Sequence, residues 1–407
     1  MEEQEKRGNS CLVVAPKFPE AQDSEEKIIR VKAIQNFNGS DFSVSIPDSQ
    51  KVNSALDAFS PDLIHSHHPF LLGDAAVREA RKRQLPIVFT HHTLYERYTH
   101  YVPFHSQTMK NLVVQLAVKY CNLVDHVIAP SKSVKDYLES LGVETSMSEV
   151  PTGVEIEQYQ AGNGEAARKQ WNIPPDAMLL GHVGRLAKEK NLEFLCRAAQ
   201  KVLHKRDSAY FLVVGDGEDA EDLEAIFRDE DCEKRVIFTG SLTGKDLINA
   251  YTAMDCFLFS STSETQGMVL AEAMAAGTPV IALDAPGARE IVRDGENGHL
   301  LDQGASEKDY AQVLERYTEN GERAEAFRKA ALKTAKDFSK ERANEKLGEV
   351  YEKAAETNRQ RWEYKKNWND WDALITQIRT EWQMLADKAE SLIEAMGNSH
   401  PHKKKLK

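Results

Sequence analysis

Short apolar runs alternate with longer stretches of helical periodicity along most of the chain. Near-continuous runs rich in β-branched residues, separated by helices, are typical of a parallel sheet that helices cover on both faces. The pattern predicts an α/β protein, with strands at Cys11–Ala15, Leu63–His65, Ile87–Thr90, Val127–Ala129, Leu179–Val183, Phe211–Val214, Val236–Phe238, Cys256–Phe259 and Val280–Ala282.

This alternation of strands and helices occurs twice, and a polar stretch divides the two occurrences. The stretch Ala161 to Gln170 follows the segment EVPTGVEIEQY and has the composition of an interdomain linker. We therefore predict two Rossmann-like domains, at residues 1–155 and 172–340.

The last part of the chain carries a different pattern. Large apolar residues recur at spacings of three and four, which keeps them on one side of a helix. They are Tyr364, Trp368, Trp371, Ile375, Ile378, Trp382, Leu385, Ala389, Leu392 and Met396. We predict a long C-terminal helical segment over 341–397 and a basic tail at 398–407. This seam fits either packing on the protein's own body or a coiled coil that joins two copies of the chain.

Composition and charge narrow the classes of partner. The 407-residue chain has a formal net charge of -12, which argues against nucleic acid. No apolar run approaches the roughly 20 residues that cross a bilayer. The first ten residues, MEEQEKRGNS, lack the apolar segment of a secretory signal, and the five cysteines are scattered. These features predict a cytoplasmic protein. From Thr357 onward the chain has ten Lys/Arg and seven Asp/Glu and is therefore mildly basic. Peripheral contact with the inner face of the membrane is a further alternative.

The segment GHVGRLAKEKN (Gly181–Asn191) places two cations where a predicted strand passes into the next helix. A glycine lets a ligand approach the backbone, and a helix N-terminus binds anions. Arg185 and Lys190 oppose the dipole of a helix that they open, which an anionic ligand would explain. The segment predicts a diphosphate clamp. The alternative is a solvated first turn.

The segment SETQGMVLAEAMAAG sets two glutamates on either side of a helix start. Gly267 allows a tight turn, so the amides of Gly267, Met268 and Val269 point outward as the helix begins. Glu264 lies just before them and Glu272 lies inside the helix, where each carboxylate can accept hydrogen bonds from sugar or ribose hydroxyls. The alternative to a sugar site is that Glu264 caps the helix and Glu272 is an exposed surface residue. The apolar helix favours a buried Glu272 that needs a partner.

Four motifs in this order resemble the retaining glycosyltransferases of family four. They are GRLAKEK (Gly184–Lys190), VVGDG (Val213–Gly217), FTGSL (Phe238–Leu242) and the glutamate pair Glu264 and Glu272 with seven residues between them. The resemblance covers roughly residues 10–350 and implies the two-domain GT-B architecture. The donor sugar nucleotide then binds the second domain and the acceptor mainly the first.

The resemblance also implies roles for single residues. The catalytic set is His92, Arg185, Lys190 and Glu264. The donor-binding set is Arg185, Lys190, Gly215, Leu242, Glu264, Gly267, Met268, Val269 and Glu272. In these sets the cations hold the diphosphate, the first glutamate and the helix-start amides hold the sugar, and the second glutamate holds the ribose. Neither a metal nor a cofactor is expected, because Arg185, Lys190 and the helix-start amides stabilise the charge on the leaving diphosphate.

Seven of the thirteen histidines cluster after two predicted strands of the first domain: His65, His67, His68, His91, His92, His100 and His105. No HExxH or CxxC accompanies them, which favours hydrogen bonding to substrate over a zinc site. By the family resemblance, His92 before Thr93 faces the donor sugar. The stretch HHTLYERYTHYVP also resembles bacterial glucosyltransferases that act on diacylglycerol.

Family members open with a strand, a Gly-Gly loop and a long helix, whereas this chain opens at the family's second strand, SCLVVAPKFP. We therefore expect the first domain to lack one central strand. The predicted activity is transfer of a hexose, glucose from UDP-glucose, to a hydroxyl of a lipid or sugar. The alternatives are a catalytically silent nucleotide-sugar-binding or scaffold protein and a UDP-sugar 2-epimerase.

Overall fold

The computed structural model describes residues 1–18, 27–34, 44–46, 49–94, 107–228, 232–319 and 321–364. The chain forms two compact units. The first unit comprises Ser10–Ile128, Leu138–Met147 and the chain from Val350, and the second comprises Met1–Asn9, Ala129–Tyr137 and Ser148–Glu349.

The elements up to residue 149 supply the strands of the first unit. In chain order they are α1 (Glu2–Lys6), β1 (Val13–Pro16), β2 (Ile28–Ile34), β3 (Val44–Ile46), α2 (Ser49–Phe59), β4 (Ile64–Ser66), α3 (Leu72–Arg83), β5 (Ile87–Thr90), α4 (Gln107–Cys121), β6 (His126–Ala129), α5 (Lys132–Ser140) and β7 (Met147–Glu149).

The remaining elements build the second unit and the final helix. They are α6 (Ile156–Gln160), α7 (Gly164–Gln170), β8 (Met178–Val183), α8 (Leu192–Lys205), β9 (Ala209–Val214), α9 (Ala220–Ala225), β10 (Val236–Phe238), α10 (Gly244–Ala253), β11 (Cys256–Phe259), α11 (Met268–Ala275), β12 (Val280–Leu283), β13 (Gly298–Leu301), α12 (Glu307–Glu319), α13 (Gly321–Ala335) and α14 (Lys340–Tyr364).

In the part of the chain that the structure describes, the second unit holds a six-stranded parallel sheet of order β10-β9-β8-β11-β12-β13. Leu179 and Phe257 pack on one face with α10, α11 and α13, while Leu180 and Leu258 pack on the other with α8 and α12. The strand order reverses between β8 and β11. Ligands of open α/β sheets bind at the carboxyl ends of the strands at such a point.

The described strands of the first unit form two sheets rather than one. Strands β4, β5, β6 and β7 form one, and β1, β2 and β3 form the other. Strand β1 runs parallel to β2, whereas β3, a strand that the sequence did not predict, is antiparallel to β2. Sequence analysis missed β2, β3, β7 and β13. Charged residues interrupt the apolar run of β2, and polar residues or glycine interrupt those of β3 (VSI), β7 (MSE) and β13 (GHLL).

The predicted linker is helical. Asn163 caps α7 by accepting a hydrogen bond from the Ala166 N–H (3.0 Å). Arg168 on this helix donates to the Ala177 carbonyl (2.7 Å) and to Asp255 (2.8 Å), within the second unit. Residues 164–170 thus form a helix that is bonded to the second unit, while a linker over 161–170 stays a prediction. The boundary between residues 155 and 172 stays a prediction.

The last described turns of α14 pack on the first unit. Asn358 donates to the Gln84 carbonyl (2.9 Å), and Arg361 pairs with the buried Asp125 (2.5 Å). The apolar seam from Trp368 onward and the basic tail lie outside the described residues. No helix in the described ranges is long and apolar enough to cross a membrane.

Candidate functional site

The carboxyl ends of β8 and β11 bring together two of the predicted residues. Lys190 Nζ lies 2.6 Å from Glu264 Oε1, although 74 positions separate them in the chain. The Ser261 hydroxyl donates to the same carboxylate oxygen (2.9 Å). Each of the two charged side chains keeps 21% of its surface exposed, so a ligand can reach the pair.

The loop after β8 differs from the predicted helix start. Residues Lys188–Lys190 form a 3-10 turn, and α8 begins only at Leu192. Arg185 therefore lies in the loop, exposed and paired with Glu189. The prediction that both cations open the helix was wrong, because Asn191 adopts a left-handed conformation (φ 55°) that separates the turn from α8.

Serine side chains bind this loop to the one that carries Glu264. The Ser260 hydroxyl donates to the Lys190 and Asn191 carbonyls (3.1 and 2.9 Å). The Ser263 hydroxyl donates to the Glu189 carbonyl (3.0 Å). These bonds from serine hydroxyls of one loop to backbone carbonyls of the other hold Lys190 close to Glu264.

Helix α11 starts at this place as the sequence indicates. Its N-cap is Gly267 (φ 69°), and among the described residues no side chain caps it. A Cβ on Gly267 would lie 2.9 Å from the Gly287 carbonyl oxygen, and one on Gly287 would lie 2.5 Å from Glu264 Cβ. The amides of Met268 and Val269 belong to the first turn, where N–H groups have no acceptor within the helix. Sequence analysis missed Gly287, whose signal is the glycine of DAPGARE.

Glu272 is largely enclosed and has two tyrosine partners. The Tyr251 hydroxyl donates to Glu272 Oε2 (2.7 Å), and the Tyr159 hydroxyl also bonds to this carboxyl. Burial raises the pKa of Glu272, and the two tyrosines oppose that shift. The expectation that this carboxylate has a partner is confirmed, whereas Glu272 itself is only partly buried. Tyr251 was missed because it lies inside the apolar stretch of α10.

Two further predicted residues lie at neighbouring strand ends. Gly215 (φ 140°) follows β9, and a Cβ there would lie 1.8 Å from the Gly184 carbonyl oxygen. Its N–H donates to the Gly240 carbonyl (2.9 Å). Leu242 is partly buried against the core. Gly215 therefore permits a close approach of two loops, and Leu242 has a packing role in this structure.

The histidines of the first unit form two hydrogen-bonded groups. His65 bonds through Nε2 to the Thr90 hydroxyl (2.7 Å) and through Nδ1 to the Tyr351 hydroxyl (3.0 Å). His67 Nδ1 lies 2.9 Å from His92 Nε2, so one ring donates and the other accepts. Both rings are exposed in this structure.

The other clustered histidines are accounted for separately. His68 contacts the backbone of Phe70, and burial lowers the pKa of the enclosed His91 to about 4. His100 and His105 lie outside the described residues. Within the described ranges, no group of three or more His, Cys, Asp or Glu side chains could hold a metal ion.

Comparison with known proteins gives the class and then the family. The model described as Glycosyltransferase Family 4 matches residues 1–158, and that described as Glycosyl transferases group 1 matches residues 163–334. The crystal structure of Anabaena Alr3699/HepE in complex with UDP shares the fold, with a TM-score of 0.65, 21% identity and coverage of 80% of this chain and 86% of that one. The fold is therefore that of a GT-B glycosyltransferase, as predicted.

Two curated relatives decide the family. Alpha-monoglucosyldiacylglycerol synthase of Streptococcus pneumoniae is 30% identical over 304 residues, covering 73% of this chain and 69% of the relative. GDP-mannose-dependent alpha-mannosyltransferase of Corynebacterium glutamicum is 30% identical over 304 residues, covering 72% and 69%. The chain belongs to glycosyltransferase family 4 and is a glycosyltransferase.

Proposed function

We propose that this protein transfers glucose from UDP-glucose to a hydroxyl group of a glycerolipid, with retention of the anomeric configuration. The observation that carries the proposal is the contact of Lys190 with Glu264 in front of the uncapped start of α11. Cations and helix-start amides stabilise a diphosphate, while a carboxylate accepts hydrogen bonds from sugar hydroxyls. The site therefore has the chemistry that a nucleotide sugar requires.

In this proposal each group binds a stated part of the donor, and the helix-start amides contact both the hexose and the diphosphate. Lys190 and Arg185 bind the diphosphate, and Arg185 leaves its exposed pair with Glu189 to do so. Glu264 and the amides of residues 267–269 bind the hexose. Glu272 accepts hydrogen bonds from the ribose diol through the lone pairs that its two tyrosines leave open.

The reaction needs no protein nucleophile. The bond between the anomeric carbon and the diphosphate oxygen breaks as the acceptor oxygen attacks the same face. The acceptor proton passes to the departing diphosphate oxygen. Negative charge develops on that diphosphate, and Lys190, Arg185 and the amides at the start of α11 stabilise it. By the family resemblance, His92 contacts the hexose in this reaction.

The lipid acceptor and the glucose donor rest on the relatives and on sequence. The Streptococcus pneumoniae relative is named as a glucosyldiacylglycerol synthase, whereas the Corynebacterium glutamicum relative is named for GDP-mannose. The histidine-rich stretch of the first unit favours the lipid acceptor. A lipid acceptor also implies that the protein acts at a membrane surface.

The test is a transfer assay with the full chain, diacylglycerol-containing vesicles, and either UDP-glucose or GDP-mannose. Product is identified by mass and its anomeric configuration by proton NMR. We expect an α-glucosyl lipid from UDP-glucose. Transfer only from GDP-mannose would contradict the assignment of UDP-glucose as the donor. A β-linked product would contradict retention of the anomeric configuration. Epimerised UDP-sugar in the absence of acceptor, or nucleotide binding without any turnover, would overturn the reaction itself.

A further inference from the structure

His182 is a buried polar residue of the second unit to which neither the motifs nor the reaction above give a task. It is the second-last residue of β8, which leads into the loop that carries Arg185 and Lys190. The residue is 3% exposed. Strand β8 is otherwise apolar and fully buried. An imidazole here replaces an aliphatic side chain at the centre of the sheet, which requires a reason.

The hydrogen bonds of the ring fix its tautomer. His182 Nδ1 lies 3.0 Å from the Leu258 carbonyl oxygen on the neighbouring strand β11. A carbonyl oxygen only accepts, so Nδ1 carries the proton. Burial lowers the pKa of His182 to about 4, so the ring is neutral near pH 7. In this neutral tautomer Nε2 is a hydrogen-bond acceptor.

Nε2 has no hydrogen-bond partner among the described residues. A buried acceptor without a donor destabilises a protein, so such atoms often mark a functional site. The atom faces Gly184, the glycine of the GRLAKEK motif. A Cβ at Gly184 would lie 3.2 Å from Nε2, and outside its chain neighbours it would meet only this ring within 4 Å. Glycine therefore leaves open the space that a side chain would fill.

The charged pair of the site lies at the same strand end as this ring. Lys190 and Glu264 both act electrostatically on His182, and the hydroxyl of Ser260, two residues after Leu258 of β11, bonds to the Lys190 carbonyl (3.1 Å). The acceptor atom, the space at Gly184 and the Lys190–Glu264 pair thus lie at the carboxyl end of β8. A ligand held by that pair would lie at the same end of β8 as Nε2.

We propose that Nε2 of His182 accepts a hydrogen bond from a hydroxyl group of the donor hexose. This inference rests on the proposed function. Diphosphate oxygens carry no hydrogen at neutral pH and cannot satisfy a neutral acceptor, whereas a hexose offers several hydroxyl donors. His182 is then a specificity-determining residue that contacts the sugar of the donor and does not contact its nucleotide.

The test compares UDP with UDP-glucose by calorimetry on the full chain and on three variants. His182→Leu removes the acceptor at similar volume, and His182→Gln keeps an acceptor oxygen. His299→Leu is the matched control, because it removes a histidine from β13 whose Nδ1 already bonds to Asp294. We expect His182→Leu to weaken UDP-glucose binding about three- to tenfold and leave UDP binding unchanged, with partial recovery in His182→Gln. The control should change neither affinity.

UDP-glucose analogues that each lack one hydroxyl identify the donor atom. One analogue should bind the wild-type chain more weakly by the same factor, and His182→Leu should bind that analogue as well as it binds UDP-glucose. Equal losses for UDP and UDP-glucose, or no loss, would overturn the assignment. If His182→Leu does not unfold cooperatively, His182→Gln and the wild-type analogue series decide. Absence of UDP binding by the wild-type chain would instead overturn the proposed function.

Discussion

At the scale of single residues, Lys190 is the cation that the structure places closest to an acid of the site. Its ammonium group lies 2.6 Å from Glu264 Oε1, and its side chain is partly exposed. We expect Lys190→Ala to lower kcat for transfer by about 100-fold or more, because the variant lacks a preorganised positive charge that stabilises the leaving diphosphate. Lys188→Ala, in the same turn, should keep its turnover. Unchanged turnover in Lys190→Ala would contradict the role of this residue.

Glu272 gives a prediction about stability and pH. Burial raises its pKa in the folded protein, so folding favours the protonated acid. The resulting loss of stability is absent below the ordinary glutamate pKa and complete above the raised one. Glu272→Gln should therefore raise the melting temperature relative to wild type more at pH 7 than at pH 4. Glu193→Gln, at an exposed ion pair, should show no such difference.

The same variant separates stability from function. Glu272→Gln should bind UDP more weakly at pH 7 because the amide has one acceptor oxygen where the carboxylate has two. A variant that gains stability and retains full UDP affinity would show that Glu272 does not contact the ribose.

Residues of the site differ in how well the sequence reveals them. Lys190, Glu264 and Gly267 stand in motifs with charge or glycine at a strand end, and the sequence predicts their neighbourhood. Tyr251 and His182 lie inside apolar runs, where a single polar atom does not alter the hydrophobic pattern. Their partners come from other elements, so only the fold reveals their use.

At the scale of elements, the contact between α10 and α11 orients Glu272, the acid that we propose binds the ribose. Tyr251 is fully buried on α10 and donates to Glu272 on α11. Tyr251→Phe should weaken UDP binding about three- to tenfold, because the carboxylate loses one of its two anchors. The matched control is Tyr310→Phe, which removes a buried hydroxyl bonded to the backbone of the same sheet. Equal effects of both variants on UDP affinity would contradict an orienting role.

Strands that consist of an uninterrupted apolar run were the ones that the pattern predicted well. Strands β5, β10 and β11 have the predicted bounds, because each is a continuous apolar run. Strand β2 carries Arg30 and Lys32 on alternate positions and does not present such a run. The start of α8 was misplaced because the left-handed Asn191 leaves no clear mark in the sequence.

At the scale of the whole molecule, the chain returns to the first unit through α14, and one buried ion pair fixes its last described turn. Asp125 has a fully buried side chain, accepts from the Ile87 N–H (2.9 Å) and pairs with Arg361. Arg361→Ala should lower the free energy of unfolding by about 3–5 kcal/mol, because it leaves a buried charge without its partner. Urea unfolding measures this change. Arg359 lies two residues before Arg361 and forms an exposed ion pair with Glu356, so Arg359→Ala should change the free energy of unfolding little.

The division into two α/β units could be predicted from the repeated pattern, whereas their composition could not. Residues 1–9 and 129–137 belong to the second unit although segments of the first unit separate them from the rest of it in the chain. Gln4 bonds to Asn344 (2.9 Å), and Ser131 bonds to the Thr265 carbonyl (2.6 Å) beside Glu264. Contacts between such distant positions follow from tertiary packing, which local patterns do not encode.

The most direct test of the central claim is calorimetric titration of the full chain with UDP-glucose, run beside Glu272→Ala. The donor site described above predicts binding with a Kd of about micromolar order in the wild-type chain, and a loss of at least tenfold in the variant. Equal affinity in both proteins would contradict the assignment of Glu272. Absence of binding to UDP-glucose by the wild-type chain would contradict the claim that this site accepts that donor.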